Sequence, residues 1–200
     1  MAQGISYRSW LSTNNGGSAK KLTIQEAHEL IKHLAEITYL KEPIYFADSV
    51  HPQHKTQLVY GWILKGERKG IAITGRQYRL NFIGGICLNG HHFIYQQADK
   101  VDADSMAAFL GELRRKNPEK HKIYLIQDRA GYHRDKDIQE FAKNLAIELH
   151  YLPPYSPNLN PIERLWKIMH ERVTYNRYYA TSTCCIRHCS HLDVQRAYTR

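Results

Sequence analysis

Residues 123–166 read IYLIQDRAGYHRDKDIQEFAKNLAIELHYLPPYSPNLNPIERLW and alternate between strand and helix patterns. The continuous apolar run Ile123–Ile126 predicts a buried strand that ends at Asp128, and residues 147–152 predict another strand after an intervening helix. Four prolines then make the loop at residues 153–161 rigid. The helix that follows has one apolar face, formed by Ile162, Leu165, Trp166, Met169 and Val173. This βαβα order predicts a sheet with helices packed on its faces.

Upstream of this region the chain carries a helical stripe and several short strand patterns. Residues 1–20 form a polar tail without periodicity, and residues 21–42 predict a helical lead-in. Strand patterns follow at Ile44–Ala47, Leu58–Ile63, Ile71–Ile73, Leu80–Ile86 and His92–Tyr95. Asn89-Gly90 is typical of a hairpin turn, and Asp104 and Asp135 are expected to cap helices. These elements predict an α/β fold with a mixed sheet.

The composition indicates a globular chain with an affinity for polyanions. Hydrophobic residues make up 42% and charged residues 24% of the 200 residues, which excludes a wholly disordered or collagen-like chain. No apolar run reaches the roughly 18 residues of a membrane span, and no signal peptide is visible, so we expect a cytoplasmic protein. The net charge of +9 suits nucleic acid, although a basic enzyme of another kind would share it. Four cysteines, three of them crowded near the end, do not resemble a disulfide framework.

Three acidic residues stand where the ligands of an α/β sheet collect. Asp48 and Asp128 each follow an apolar strand, and Glu163 lies in the first turn of a helix, with 34 residues between it and Asp128. Three carboxylates repel one another, so a cluster of them is stable mainly where divalent cations neutralise it. Each residue also has a simpler interpretation. The aspartates suit turns, and with Asn160 as N-cap Glu163 would stabilise its helix at the third position.

Three segments resemble the catalytic motifs of one protein family. LPPYSPNLNPIERLW (152–166) resembles the third motif of bacterial insertion-sequence transposases of the mariner superfamily, of the insertion sequence 630 type. QDRAGYHR (127–134) is similar to their second motif and YFADSVHP (45–52) to their first. The resemblance covers roughly residues 22–179. It identifies the chain as a member of the DDE superfamily endonucleases.

The resemblance implies a fold, an activity and a metal site. The family fold is RNase H-like, of the retroviral-integrase type, with a mixed five-stranded sheet flanked by helices. The family activity is metal-dependent cleavage of transposon-end DNA and transfer of the freed 3′-hydroxyl to target DNA. By motif position, Asp48, Asp128 and Glu163 would be the catalytic residues and would bind Mg²⁺ or Mn²⁺, as two ions. The implied partners are transposon-end DNA, target DNA and a second copy of the chain, in the bacterial cytoplasm and at the nucleoid when bound to DNA.

Basic residues near the third motif are candidates for DNA binding. Their charges can contact phosphates, although a solvated helix face would look the same in sequence. These residues are Arg164, Lys167, Arg172 and Arg177. The chain accordingly divides into an N-terminal tail (1–20), a helical lead-in (21–42), an RNase H-like DDE catalytic domain (43–179) and an aberrant tail (180–200).

The two ends depart from the family pattern. About 40 residues precede the first motif, too few for paired helix-turn-helix units, so we expect the specific DNA reader to be missing. Residues 180–200 show no helical stripe and are expected to be disordered. Residues 184–191 hold three cysteines and two histidines, which permits a zinc site, but an out-of-frame tail is the preferred interpretation. Both features suggest a truncated copy.

Two alternatives to an active transposase remain open at this point. The first is a non-catalytic, decayed remnant that keeps the fold and binds DNA without sequence specificity. The second is an RNase H-like nuclease that acts outside transposition, which the specific third motif disfavours. His51 and His133 lie within the motifs, but we interpret both as surface or packing residues.

Overall fold

The computed structural model describes most of the chain from residue 42 to residue 190. The described ranges are 42–73, 78–90, 92–128, 135–153 and 159–190, together with residues 29, 32 and 34–36. These five earlier positions are helical, and Leu34 among them is buried. They agree with the helical lead-in expected over residues 21–42. The N-terminal tail predicted at residues 1–20 lies outside the described residues.

Five strands form one mixed sheet. They are β1 (Ile44–Val50), β2 (Asn81–Cys87), β3 (Phe93–Ala98), β4 (Ile123–Gln127) and β5 (Ile147–Tyr151). The spatial order is β3-β2-β1-β4-β5. The first three strands pair antiparallel, and β4 pairs parallel with both β1 and β5. The predicted fold class, an α/β fold with a mixed five-stranded sheet flanked by helices, is confirmed.

Within residues 92–190, the described segments contain four α-helices that accompany the sheet. They are α1 (Ala103–Lys116), α2 (Lys136–Asn144), α3 (Ile162–Met169) and α4 (Ser182–Ser190), and a π-helical turn (His170–Thr174) extends α3. Asp135 caps α2 as predicted, because its side chain accepts from the Asp137 amide at 2.9 Å. The predicted cap of α1 is wrong: Asp102 caps that helix instead of Asp104, in a reciprocal pair with Ser105. No helix within the described ranges is long and apolar enough to cross a membrane.

The two faces of the sheet bury separate hydrophobic cores. In β1, Tyr45 and Ala47 face α1 and α2, whereas Ile44 and Phe46 face α3. This alternation follows from the two-residue period of a strand. Asp48 is two residues after Phe46 in the same strand, so its side chain is on the same face of the sheet. This is the face on which α3, the helix that carries Glu163, packs.

Two of the predicted strands are absent. Residues 58–63, which the apolar pattern assigned to a strand, have no strand partner among the described residues and are exposed, with Tyr60 and Trp62 fully so. The Asn176 side chain bonds both backbone groups of Val59 at 3.0 Å and anchors only the start of this segment. The weak pattern at residues 71–73 is likewise not a strand. An apolar run forms a strand only where a neighbouring strand is available to pair with it.

The prediction of a tail without regular structure is wrong for Ser182–Ser190. These residues form α4, and the side chains of Cys185 and Cys189, one helical turn apart, are buried against the α3 side of the sheet. The stripe escapes detection in the sequence because its buried positions are cysteines among polar residues. Free cysteine nevertheless behaves as a small apolar side chain. Residues 191–200 of the predicted tail lie outside the described residues.

Candidate active site

Asp48 and Asp128 reach the same edge of the sheet through two neighbouring parallel strands. Phe46 of β1 is directly opposite Ile126 of β4. Asp48 and Asp128 are each two residues beyond this pair, Asp48 within β1 and Asp128 just after the end of β4. The two aspartates therefore stand side by side at the same height in the sheet and on the same face. Asp48 lies inside β1, which extends to Val50, and not after its end as the sequence pattern suggested. The local reason is that Asp48 and the following residues continue the antiparallel pairing with β2.

Glu163 is brought to this edge by the start of α3. The side chain of Asn160 makes two hydrogen bonds there: its Oδ1 accepts from the Ile162 amide at 3.3 Å, and its Nδ2 donates to the Ala47 carbonyl at 3.1 Å. The N-cap position is Pro161 and not Asn160 as the sequence predicted, but the Asn160 side chain still accepts from the first helical amide and ties the helix start to the strand residue before Asp48. Its side chain is buried, so both bonds are shielded from water.

The electrostatics place the three carboxylates close together. Burial, followed by the charges of Glu163 and Asp128, raises the pKa of Asp48 from its ordinary value to about 7. Burial and the charge of Asp128 also raise the pKa of Glu163. Asp48 is partly buried, whereas Asp128 and Glu163 are exposed. The structure thus brings all three sequence-predicted residues together, with one carboxylate inside and two at a solvent-accessible rim.

The chemistry of these three carboxylates fits a divalent cation, although their side chains do not converge on a single metal position. Carboxylates that raise one another's pKa are stabilised when a cation neutralises their charge, and carboxylate oxygens are the ligands that Mg²⁺ and Mn²⁺ prefer. Within the described residues, no set of three or more His, Cys, Asp or Glu side chains has the spacing of a metal-binding cluster. The donor set is therefore suitable, and its closure around an ion would require side-chain movement.

Trp166 is a site residue that sequence reasoning counted only as core. Its indole Nε1 donates a hydrogen bond to Asp48 Oδ2 at 3.2 Å. The only sequence signal is its position on the helix, three residues after Glu163, which brings the two side chains to neighbouring positions. The hydrogen bond joins residues 118 positions apart, so no local pattern reveals it.

The candidate DNA-binding residues are all exposed. Arg164 and Lys167 lie on the solvent side of α3, opposite its buried face. Arg172 in the π-helical turn and Arg177 beyond it are exposed as well. The positions agree with an accessible basic surface beside Glu163.

Of the two histidines within the motifs, His51 is among the described residues and His133 is not. His51 Nδ1 is 2.8 Å from Asn81 Oδ1, and Asn81 in turn donates to the Asp99 carbonyl at 2.6 Å. These contacts give His51 a packing role that links the end of β1 to β2, as the sequence interpretation held. His133 lies outside the described residues.

Comparisons with known proteins give the family. The family model described as DDE superfamily endonuclease matches residues 43–184. The chain is 26% identical over 176 residues to the insertion element IS630 uncharacterized 39 kDa protein of Shigella sonnei, covering 80% of this chain and 48% of the relative. It is 33% identical over 88 residues to the uncharacterized protein y4pE/y4sA of Sinorhizobium fredii (strain NBRC 101917 / NGR234), covering 44% of this chain and 63% of the relative. The chain therefore spans about half to two thirds of the length of these curated relatives.

Solved structures share the fold. The catalytic domain of Mos1 mariner transposase superposes with a TM-score of 0.58 at 14% identity, covering 91% of this chain and 89% of that one. The Mos1 transposase paired-end complex with left transposon end gives 0.61 at 15% identity, covering 88% and 56%. The RNase H-like fold that the motifs implied is confirmed by these matches. Since the family model covers most of the chain, and the sheet and carboxylates stand as described, the chain belongs to the DDE superfamily endonuclease family.

Proposed function

We propose that this chain is the catalytic domain of an insertion-sequence transposase. It cleaves DNA strands at transposon ends and transfers the freed 3′-hydroxyl to target DNA. The observation that carries the proposal is the convergence of Asp48, Asp128 and Glu163 at one edge of the sheet, where burial and the neighbouring carboxylate charges raise the pKa of Asp48 and of Glu163. The shared fold with a transposase solved in complex with a transposon end supports it.

Asp48, Asp128 and Glu163 would hold one or two divalent cations, Mg²⁺ or Mn²⁺. When bound, such ions lower the pKa of the attacking oxygen and stabilise the leaving oxygen of an in-line displacement at phosphorus. Mos1 complexes have been solved with Mn and with Mg, which supports these two metals.

The chain's own residues orient this chemistry. Asp48 is held inside β1 as the most buried of the three carboxylates, and Asp128 and Glu163 at the rim meet the scissile phosphodiester. Asn160 fixes where α3 starts and so holds Glu163 opposite the two strands. Water attacks first, and the released 3′-hydroxyl then attacks target DNA, so no covalent enzyme intermediate is required.

The DNA partners are transposon-end and target DNA. Arg164, Lys167, Arg172 and Arg177 supply phosphate contacts beside the carboxylates, and the net charge of +9 attracts the duplex. A second copy of the chain completes the active complex.

Plasmid nicking in the presence of Mn²⁺ tests the proposal. The full chain should nick supercoiled DNA, and Asp48→Asn, Asp128→Asn or Glu163→Gln should lower the rate by at least about 100-fold, because each removes a charge that stabilises the transition state. Asp104→Asn, an exposed carboxylate on α1, is the matched control and should keep the wild-type rate. Equal nicking by all variants would overturn the proposal.

The same assay distinguishes an active transposase domain from a non-catalytic remnant. Such a remnant would bind plasmid DNA with the salt dependence of a basic surface, and neither the wild type nor any variant would nick it. The convergence of three carboxylates favours the enzyme, because a remnant without activity has no physical need to maintain their mutual repulsion.

A further inference from the structure

The indole of Trp166 lies directly on the sheet, beside Asp48. The residue is buried, and its ring meets Phe93 edge-on, with 5.7 Å between ring centroids. Its Nε1 donates to Asp48 Oδ2 at 3.2 Å. Packing on one side and a hydrogen bond at the polar tip hold the ring in a single orientation.

Gly84 makes this arrangement possible. It is the residue opposite Asp48 in the β1–β2 pairing. A Cβ atom at Gly84 would stand 2.8 Å from Trp166 Cζ2 and 2.8 Å from Phe93 Cε2, closer than real Cβ atoms approach their neighbours. Because Gly84 has no side chain, the indole of Trp166 has room to lie over it and reach the Asp48 carboxylate. The backbone of Gly84 has ordinary strand geometry, so close approach and not a special φ requires glycine here.

The chemical identity of the donor matters. A lysine or arginine at this point would neutralise Asp48 and compete with a cation for the same oxygens. An indole N–H is uncharged and can only donate. It can fix one oxygen of the carboxylate while the negative charge stays available to a metal ion.

We propose that Trp166 is a positioning residue for the Asp48 carboxylate, seated on Gly84, and that it sets the affinity of the site for a divalent cation. The proposal rests on the proposed function, since it treats Asp48 as a metal ligand. Partners that orient a ligand from outside typically change metal affinity by about 10- to 100-fold when removed.

Calorimetric titration of Mn²⁺ into the metal-free full chain tests the proposal. Trp166→Phe keeps an aromatic ring and removes the N–H donor, and it should weaken Mn²⁺ binding by about 10-fold. Trp62→Phe is the matched control, because Trp62 is fully exposed, and it should bind like the wild type. In nicking assays, Trp166→Phe should need about 10-fold more Mn²⁺ for half-maximal rate and approach the wild-type rate at saturation.

A second variant covers the case in which the smaller ring disturbs the fold. Replacing Trp166 with 3-benzothienylalanine keeps the bicyclic shape and exchanges the N–H for sulfur, so only the hydrogen bond is lost. Gly84→Ala should displace the indole and weaken Mn²⁺ binding in the same direction. Thermal unfolding without metal reports whether each variant remains folded.

The outcomes distinguish the two proposals. If Asp48→Asn loses Mn²⁺ binding while Trp166→Phe and the benzothienyl variant bind like the wild type, the role of Trp166 is overturned and the active site stands. If the wild type and Asp48→Asn bind Mn²⁺ equally, the metal site itself is overturned. Weakened binding in both Trp166 variants, with unchanged binding in Trp62→Phe, supports the positioning role.

Discussion

Asp48 is the site residue with the most unfavourable electrostatic surroundings. Its carboxylate is buried beside Glu163 and Asp128, and together they raise its pKa to about 7. The hydrogen bonds from the Ser49 amide and from Trp166 oppose this shift and do not cancel it. The ionised Asp48 carboxylate is therefore destabilised by its surroundings, and a bound cation would offset this cost. Functional sites commonly contain groups whose surroundings are unfavourable in this way.

The raised pKa of Asp48 predicts a pH-dependent stability in metal-free protein. Between pH 4 and 7 the folded chain keeps a proton that the unfolded chain releases, so the free energy of unfolding falls as the pH rises. Asp48→Asn removes this loss and should stabilise the protein at pH 8, by up to about 4 kcal/mol, with a gain that shrinks toward pH 4. Urea unfolding in a chelator measures it. Asp104→Asn should show no such gain, and a destabilised Asp48→Asn at pH 8 would contradict the prediction.

Asn160 is the residue on which the placement of Glu163 depends. Asn160→Ala removes two buried hydrogen bonds and leaves the Ala47 carbonyl and the Ile162 amide without these partners. We expect a loss of about 1–3 kcal/mol in the free energy of unfolding, together with slower nicking. Asn144→Ala, at the exposed end of α2, is the control and should change stability by less than about 0.5 kcal/mol. Equal stability of the two variants would show that the bridge between α3 and β1 contributes nothing.

At the scale of elements, the strands and helices that pack against the sheet follow their local patterns, and those without a partner do not. The apolar run at residues 58–63 has strand composition, but no strand among the described residues pairs with it. It therefore stays exposed beyond its anchor at Asn176. The reverse holds for α4, whose polar, cysteine-rich sequence is ordered by contact with the core.

The burial of α4 makes a prediction opposite to that from the sequence pattern. Truncation after Tyr179 removes Cys185 and Cys189 from the core and exposes the surface they cover. We expect a loss of about 2 kcal/mol, which corresponds to a melting temperature lower by about 4–8 °C. Differential scanning calorimetry of the full and truncated chains measures it. An unchanged melting temperature would favour a tail without structure, and a chelator effect confined to the full chain would indicate a zinc site instead.

At the scale of the whole molecule, charge and topology act together. Parallel pairing of β1 with β4 brings two carboxylates to one edge, and the antiparallel β1–β2–β3 half completes the sheet on the other side. Around the carboxylates, the exposed residues of α3 and of the turn after it include the basic Arg164, Lys167 and Arg172, together with the acidic Glu171. The molecule thus combines an anionic centre, which requires cations, with a basic surrounding surface, which suits the phosphates of DNA.

DNA affinity should follow this basic surface. The wild type should bind duplex DNA of any sequence, with an affinity that falls steeply as salt is added. Changing Arg164, Lys167, Arg172 and Arg177 together to alanine should reduce the slope of log affinity against log salt by about 3–4. Fluorescence anisotropy over a series of salt concentrations measures the slope. An unchanged slope would place the DNA on another face, and tight binding of one sequence at physiological salt would contradict the expected lack of sequence preference.

The order of the elements, the mixed sheet and the identity of the three acidic candidates were determined by the sequence alone. They rest on local signals: buried strands are apolar runs, helix starts carry caps, and the motifs around Asp48, Asp128 and Glu163 are contiguous. Only the tertiary structure decided the rest, namely the strand that did not form at residues 58–63, the helix that formed at α4, and the contact of Trp166 with Asp48 across Gly84. Each of these depends on a partner distant in the chain. Burial and strand pairing are properties of the assembled sheet, so they produce no recognisable periodic pattern in the local sequence of the residues involved.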